Sequence, residues 1–265
     1  MIKSFARMAV AVSLSVPVLA HASVVAVSFP GNILSVDTDA GTVGYLSSGT
    51  FLNALSQGAQ PGQLWSVTMD TNRLAQIDAT TGAVTLGPAI SGIQGDVSIR
   101  GLAYTGGLLY AVHNQGGMFK IGADDLYTIN TSTGAATLVG STGFTGVQGL
   151  TTDAGGNMFA WDAQRGLLQV NKATGAATDV GAAPGGVDIQ TLAFDPNGVL
   201  YGAGYHIYTI DPVTGQRTLS TQMSTFVDIR GIEFISAVPE PSAIALVLAG
   251  AGIVAVSARR RKMAA

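Results

Sequence analysis

Arg100, Gln148, Gln190 and Arg230 each open a copy of one short pattern: "RGLAY" (100–104), "QGLTT" (148–152), "QTLAF" (190–194) and "RGIEF" (230–234). Residues at equivalent points of a closed repeat face one axis. Two guanidiniums and two amides converging there would suit a carboxylate or an acidic sugar, because a guanidinium offers a planar fork of donors. Asp96, Asp188 and Asp228 lie close by in sequence and could neutralise the arginines. The ring would then be a hydrated structural feature, so the residues alone leave both readings open.

Little else in the chain could do chemistry. There is no HExxH, no GxSxG and no Walker loop. His113 and His206 follow equivalent strands of non-adjacent repeats, which argues against a shared metal site. Asp37-Thr38-Asp39 and Asp124-Asp125 could touch calcium, but lack six to eight oxygens at a readable spacing. The absence of cysteine excludes disulfides, thiolate metal sites and cysteine nucleophiles. No catalytic residue, metal or cofactor is therefore expected.

The elements that must position the four residues come from a repeat. Asp37/Gly41, Asp78/Gly82, Asn130/Gly134, Asn171/Gly175 and Asp211/Gly215 share a four-residue spacing, and successive glycines lie 41, 52, 41 and 40 residues apart. A period near 40 is that of a propeller blade. Each Asx residue follows an alternating run such as Ala75-Gln76-Ile77 or Tyr127-Thr128-Ile129, the pattern of a half-buried strand. The Asx side chain can hold the turn's amides while glycine supplies positive φ. A further strand set, "GQLWSV" (62–67), "GLLYAV" (107–112), "GNMFAW" (156–161) and "GVLYGA" (198–203), completes four strands per blade. The long interval holds "NQGGMFKIGADD" (114–125), expected as a loop within its blade.

The register at the ends is split. "RGIEFIS" supplies a first strand with nothing after it. "VVAVSF", "NILSVD" and "TVGYLSS" supply three strands without a first. Together they make one blade, which closes a ring without exposed edges. The expectation is an all-β, five-bladed propeller over residues 23–236, with the irregular "GTFLNALSQ" (49–57) as the first strand of its blade. The blades resemble NHL-like and quinoprotein-like propellers, a fold-level likeness that does not fix function.

Both termini read as addresses. Residues 1–22 carry Lys3 and Arg7, an apolar stretch, and the small-x-small site Ala20-His21-Ala22, the pattern of a secretory signal peptide cleaved after Ala22. A buried N-terminal helix is the alternative. Residues 237–265 contain Val238-Pro239-Glu240-Pro241, an apolar segment expected as a short transmembrane helix over 242–258, and the cations Arg259, Arg260, Arg261 and Lys262. The run from Ala243 to Val256 is short for a bilayer and is a marginal stop-transfer anchor, with the basic cluster held cytoplasmic. A core helix would rarely be apolar on every face and then end in four cations.

These three elements, in this order, resemble the PEP-CTERM sorting signal of Gram-negative bacteria. The resemblance implies that an exosortase recognises and removes the tail, and that the protein goes to the cell surface or the extracellular polysaccharide matrix. Between the two addresses, residues 23–237 hold seven Lys and Arg against fifteen Asp and Glu. That acidic body argues against a nucleic-acid partner. The expected function is non-catalytic binding of a glycan or a surface protein, with only a passing attachment to the inner membrane. A secreted polysaccharide lyase or hydrolase is the alternative.

Overall fold

The computed structural model describes residues 23–95, 97–115, 122–181, 185–186 and 188–235. Over these residues the chain is a closed ring of five four-stranded antiparallel sheets. Blade 2 is β4 (Leu52–Gln57), β5 (Gln63–Thr68), β6 (Arg73–Asp78) and β7 (Val84–Ala89). Blade 3 is β8 (Ile99–Thr105), β9 (Leu108–His113), β10 (Asp125–Ile129) and β11 (Ala136–Ser141). Blade 4 is β12 (Val147–Thr152), β13 (Met158–Asp162), β14 (Gly166–Val170) and β15 (Ala177–Asp179). Blade 5 is β16 (Ile189–Phe194), β17 (Leu200–Gly204), β18 (Ile207–Ile210) and β19 (Arg217–Thr221).

Blade 1 is the shared one. β20 (Asp228–Ile235) pairs antiparallel with β1 (Ser23–Phe29), and β2 (Asn32–Asp37) and β3 (Thr42–Ser48) follow outward. The split register of the sequence is thus the join that closes the ring. The irregular 49–57 segment is indeed a first strand, β4. It shows no alternation because an innermost strand has a neighbouring blade on each face, and Leu52 to Ser56 are all buried.

Each blade buries its apolar faces against the next, giving five clusters for five interfaces. Leu34 and Ile232 of blade 1 meet Ala203 and Ile207 of blade 5. Leu74 of blade 2 meets Leu102 and Leu109 of blade 3. Leu126 of blade 3 meets Leu150 and Leu168 of blade 4. Ile33 of blade 1 meets Leu55 and Leu64 of blade 2, and Trp161 of blade 4 meets Leu192 and Leu200 of blade 5.

The repeated Asx residues act as the sequence implies. Asp78 Oδ1 accepts from the amides of Thr80 and Thr81 at 2.9 and 2.8 Å, and Asn130 Oδ1 from those of Ser132 and Thr133 at 2.9 and 3.0 Å. Their partner glycines, Gly82 and Gly134, have φ of 68° and 76°. The long interval is the connection between β9 and β10, of which residues 116–121 lie outside the described set.

Candidate functional site

The five innermost strands run in one direction along the channel, so their first residues share one mouth. In each of them the pairing with the second strand slips at that end. The slip falls at Arg100, Gln190 and Arg230 themselves, at Gly149 beside Gln148, and at Ala54 and Leu55 beside Asn53. A bulge re-aims the side chains around it. It takes Arg100, Gln190 and Arg230 out of the ladder at the channel mouth, while Gln148 and Asn53 stay paired with Trp161 and Val67 next to their slips. The ring therefore has a fifth member, Asn53, which the sequence reading missed. "LNALSQ" matches "IRGLAY" in its apolar, polar, small, leucine order, so the signal was present but weak.

Asn53 is committed to structure: its Nδ2 donates to Ile99 O at 2.6 Å, tying blade 2 to blade 3. Gln190 Nε2 donates to Asp228 Oδ1 at 2.6 Å, and Arg230 Nη2 pairs with Asp228 Oδ2 at 2.5 Å. One carboxylate thus binds two ring members. Asp188, expected as another neutraliser of the ring, instead pairs with Arg217 at 2.5 Å. Arg217 lies 5.7 Å over the Trp161 ring and 5.5 Å over that of Tyr208. This cluster braces blades 4 and 5. Burial opposes ionisation of Asp188, but hydrogen bonds from Tyr208 and Arg217 hold its pKa below the usual carboxylate value. Asp96 lies outside the described residues, and Gln148 is half-buried at its ring position.

Arg100 differs from the other members. It has no ion pair among the described residues, and its Nε is buried without a hydrogen-bond partner there. Its pKa is lowered first by burial and then by the field of Arg230, against pulls from Asp124 and Asp228. Arg230 Nε is likewise buried and unmatched among the described residues. A cavity of about 80 Å³ between blades 2 and 3 reaches Arg100, Asn53, Asn72 and Ser98. Arg230 is near enough for its field to act on Arg100, one carboxylate pairs with Arg230, and an Nε of each arginine is unmatched among the described residues. Open guanidinium donors of this kind have the chemistry to pair with a carboxylate.

The other candidates are not brought to this mouth as a set. His113 ends β9 in blade 3, against Tyr127 with ring centroids 5.9 Å apart, and His206 follows β17 in blade 5. Asp124 accepts from the amides of Gln115, Gly146 and Val147 at 3.1, 2.8 and 2.7 Å, and so pins the connections that carry them. Asp37 Oδ1 caps its own turn. No group of three or more His, Asp or Glu among the described residues could hold a metal ion. The signal-peptide residues Ala20 and Ala22, and the sorting residues from Val238 to Lys262, lie outside the described residues.

Comparison with known proteins adds an address and a fold. Residues 237–262 match the PEP-CTERM protein-sorting motif. No curated protein matches the sequence. A chain of the nidogen/laminin complex is similar in structure, with 12% identity and a TM-score of 0.55 over 82% of this chain and 98% of that one. A gluconolactonase from Xanthomonas campestris is similar at 15% identity and a TM-score of 0.51, over 76% of this chain and 69% of that one. At such identities the likeness is one of fold. The motif implies export, membrane-associated sorting and exosortase processing. The chain is a five-bladed β-propeller that carries, at residues 237–262, a PEP-CTERM sorting motif.

Proposed function

We propose that this protein is a non-catalytic binding module of the cell surface or extracellular matrix, and that its channel mouth takes a carboxylate-bearing ligand. Residues 1–22 serve as the signal peptide, 23–236 as the propeller, and 237–265 as the removable tail, recognised through Pro239-Glu240-Pro241. The observation that carries the binding reading is the pair of converging guanidiniums, Arg100 and Arg230, each with a buried donor left open among the described residues. A structural ring would match its charges. Here Asp228 is shared between Arg230 and Gln190, while Arg100 stands without an ion pair among the described residues.

Galacturonate binding to the mature protein tests this by calorimetry. Each arginine should give a charge-assisted hydrogen bond of about 1.5–3 kcal/mol. Replacing either with Gln should weaken binding roughly 10- to 100-fold, at about 1.4 kcal/mol per decade. Gln already stands at positions 148 and 190, so the fold should persist. Unchanged binding by the double variant would make the ring structural.

A further inference from the structure

Among the described residues, three of the four most exposed aromatic rings stand at the guanidinium end of the channel, and the fourth, Tyr45, lies midway along the outer strand β3. Phe226, 81% exposed, stacks on Tyr205 with centroids 4.3 Å apart and planes 18° from parallel. Phe226 precedes β20, and Tyr205 follows β17, so both stand at the mouth on the blade 5 side. Phe29 and Phe51, 50% and 42% exposed, lie 6.2 Å apart at the end of β1 and just before β4. The Arg230 guanidinium sits 5.8 Å over the Phe29 ring. The turns at the opposite end of the channel, 58–62, 106–107, 153–157 and 195–199, contain no aromatic residue.

An isolated exposed phenylalanine needs no explanation. Two aromatic pairs, one on each side of a guanidinium at a channel mouth, are a different matter. Stacking Phe226 on Tyr205 fixes one ring face and leaves the other open. A flat, rigid apolar face presented this way fits another flat, partly apolar face, such as that of a pyranose ring. The polar donors between the two pairs are cationic. Nucleic acid also offers flat rings and negative charge, but its binding is dominated by the number of phosphates that Lys and Arg neutralise. This mouth has two arginines on a body with seven Lys and Arg and fifteen Asp and Glu. A few carboxylates, spaced along a chain of stackable rings, match it better.

We infer that the channel mouth binds an extended acidic polysaccharide, with a sugar ring on the Tyr205–Phe226 stack and a neighbouring uronate at Arg100 and Arg230. The inference rests on the carboxylate reading above and adds the aromatic subsite. The size of the ligand separates the two: a monomer can use the arginines alone, while an oligomer reaches the stack.

The test measures binding of galacturonate and of tetragalacturonate to the mature protein, with Phe226→Ala, Phe226→Trp and the double Arg→Gln variant. Phe226→Ala should weaken tetragalacturonate binding by about 3- to 10-fold and leave galacturonate binding unchanged, while Phe226→Trp keeps or tightens the tetramer. The double arginine variant should lose both. Equal tetramer affinity in wild type and Phe226→Ala overturns the aromatic subsite and leaves the carboxylate reading intact. Binding of neither ligand by the wild type overturns both. Binding to vesicles of anionic lipid that falls in Phe226→Ala, without tetramer binding, assigns the surface to a membrane and also overturns the inference.

Discussion

Glu233 occupies, on β20, the channel position that Ser56, Ala103, Thr151 and Ala193 occupy on the other innermost strands. It lies at the end of the channel away from the arginines, beside a cavity of about 300 Å³ shared with Ser56, Ala103, Thr151 and Phe194. Burial pushes its pKa up to about 8, and the hydrogen bonds from Gln57 at 3.2 and 3.4 Å do not reverse this. Between about 4.5 and about 8 the folded protein therefore holds a proton that the unfolded chain has released. Stability contributed by this group falls as pH rises through that window and levels off above it. Glu233→Gln keeps an acceptor for the Gln57 amide and cannot ionise. The variant should lose much of the wild type's drop in melting temperature between pH 5 and 8.5, and melt higher than wild type at pH 8.5. An identical pH dependence in both proteins would show that Glu233 is already ionised. Residue-scale reading of the sequence located Arg100, Gln190, Arg230 and Asp228 together, because equivalence in a repeat becomes proximity in a ring. It misplaced Asp188, since the Arg217 that pairs with it lies 29 positions away on an outer strand and no local pattern links them.

At the scale of the element, the repeated hairpin glycines do more than turn the chain. A Cβ on Gly134 would meet Ala89 O at 2.1 Å, one on Gly41 would meet Gln222 O at 2.5 Å, and one on Gly175 would meet Gly140 O at 2.4 Å. In each case the contact belongs to the preceding blade's outer strand or its end. The tip of one hairpin thus seats on its neighbour, and glycine is needed for both its φ and its missing side chain. Gly107 separates the two demands: its φ is 81°, and nothing lies within 4 Å of its Cβ position. Gly107→Ala should cost only the left-handed backbone penalty, about 1–2 kcal/mol. Gly134→Ala should add an overpacking cost of about 1–3 kcal/mol. Urea unfolding of the two variants measures the difference, and equal midpoints would show that the hairpin tip does not bear on its neighbour. Sequence pattern made these hairpins legible because Asx and glycine are local requirements. It made β4 hard to read because burial on both faces erases alternation, and because Ala54, at φ 59°, stands where a glycine would have marked the bulge.

For the molecule as a whole, ring closure determines where the sorting tail leaves the body. β20 starts at the mouth that carries Arg230 and ends at Ile235, opposite Ser23, so both ends of the described chain emerge at the far face. This was legible in the sequence only as a split register, since which face the ends occupy depends on strand direction in the closed ring. The sorting motif begins at residue 237, and the apolar run proposed as its anchor begins at Ala243. Seven residues, 236–242, therefore link body and anchor. Even fully extended, at about 3.3–3.6 Å per residue, they reach roughly 25 Å. A body of this length has a radius of gyration near 17 Å, and so a diameter above about 40 Å. The link is too short to carry the anchor round to the other face. While anchored, the propeller should present its arginine and aromatic mouth outward, where a ligand can reach it before release. Replacing Pro239-Glu240-Pro241 with three alanines should block processing and hold the protein in this state. The chain lacks cysteine, so single substitutions report cleanly: Thr225→Cys at the outward mouth and Ala154→Cys on a turn of the far face. In spheroplasts a bulky maleimide polymer should label Thr225→Cys several-fold faster than Ala154→Cys, and detergent should bring the two rates together. Equal rates before detergent would mean that the body turns freely on its tether. A released wild-type protein whose intact mass still includes Arg259 to Lys262 would show that the tail is no cleavage signal.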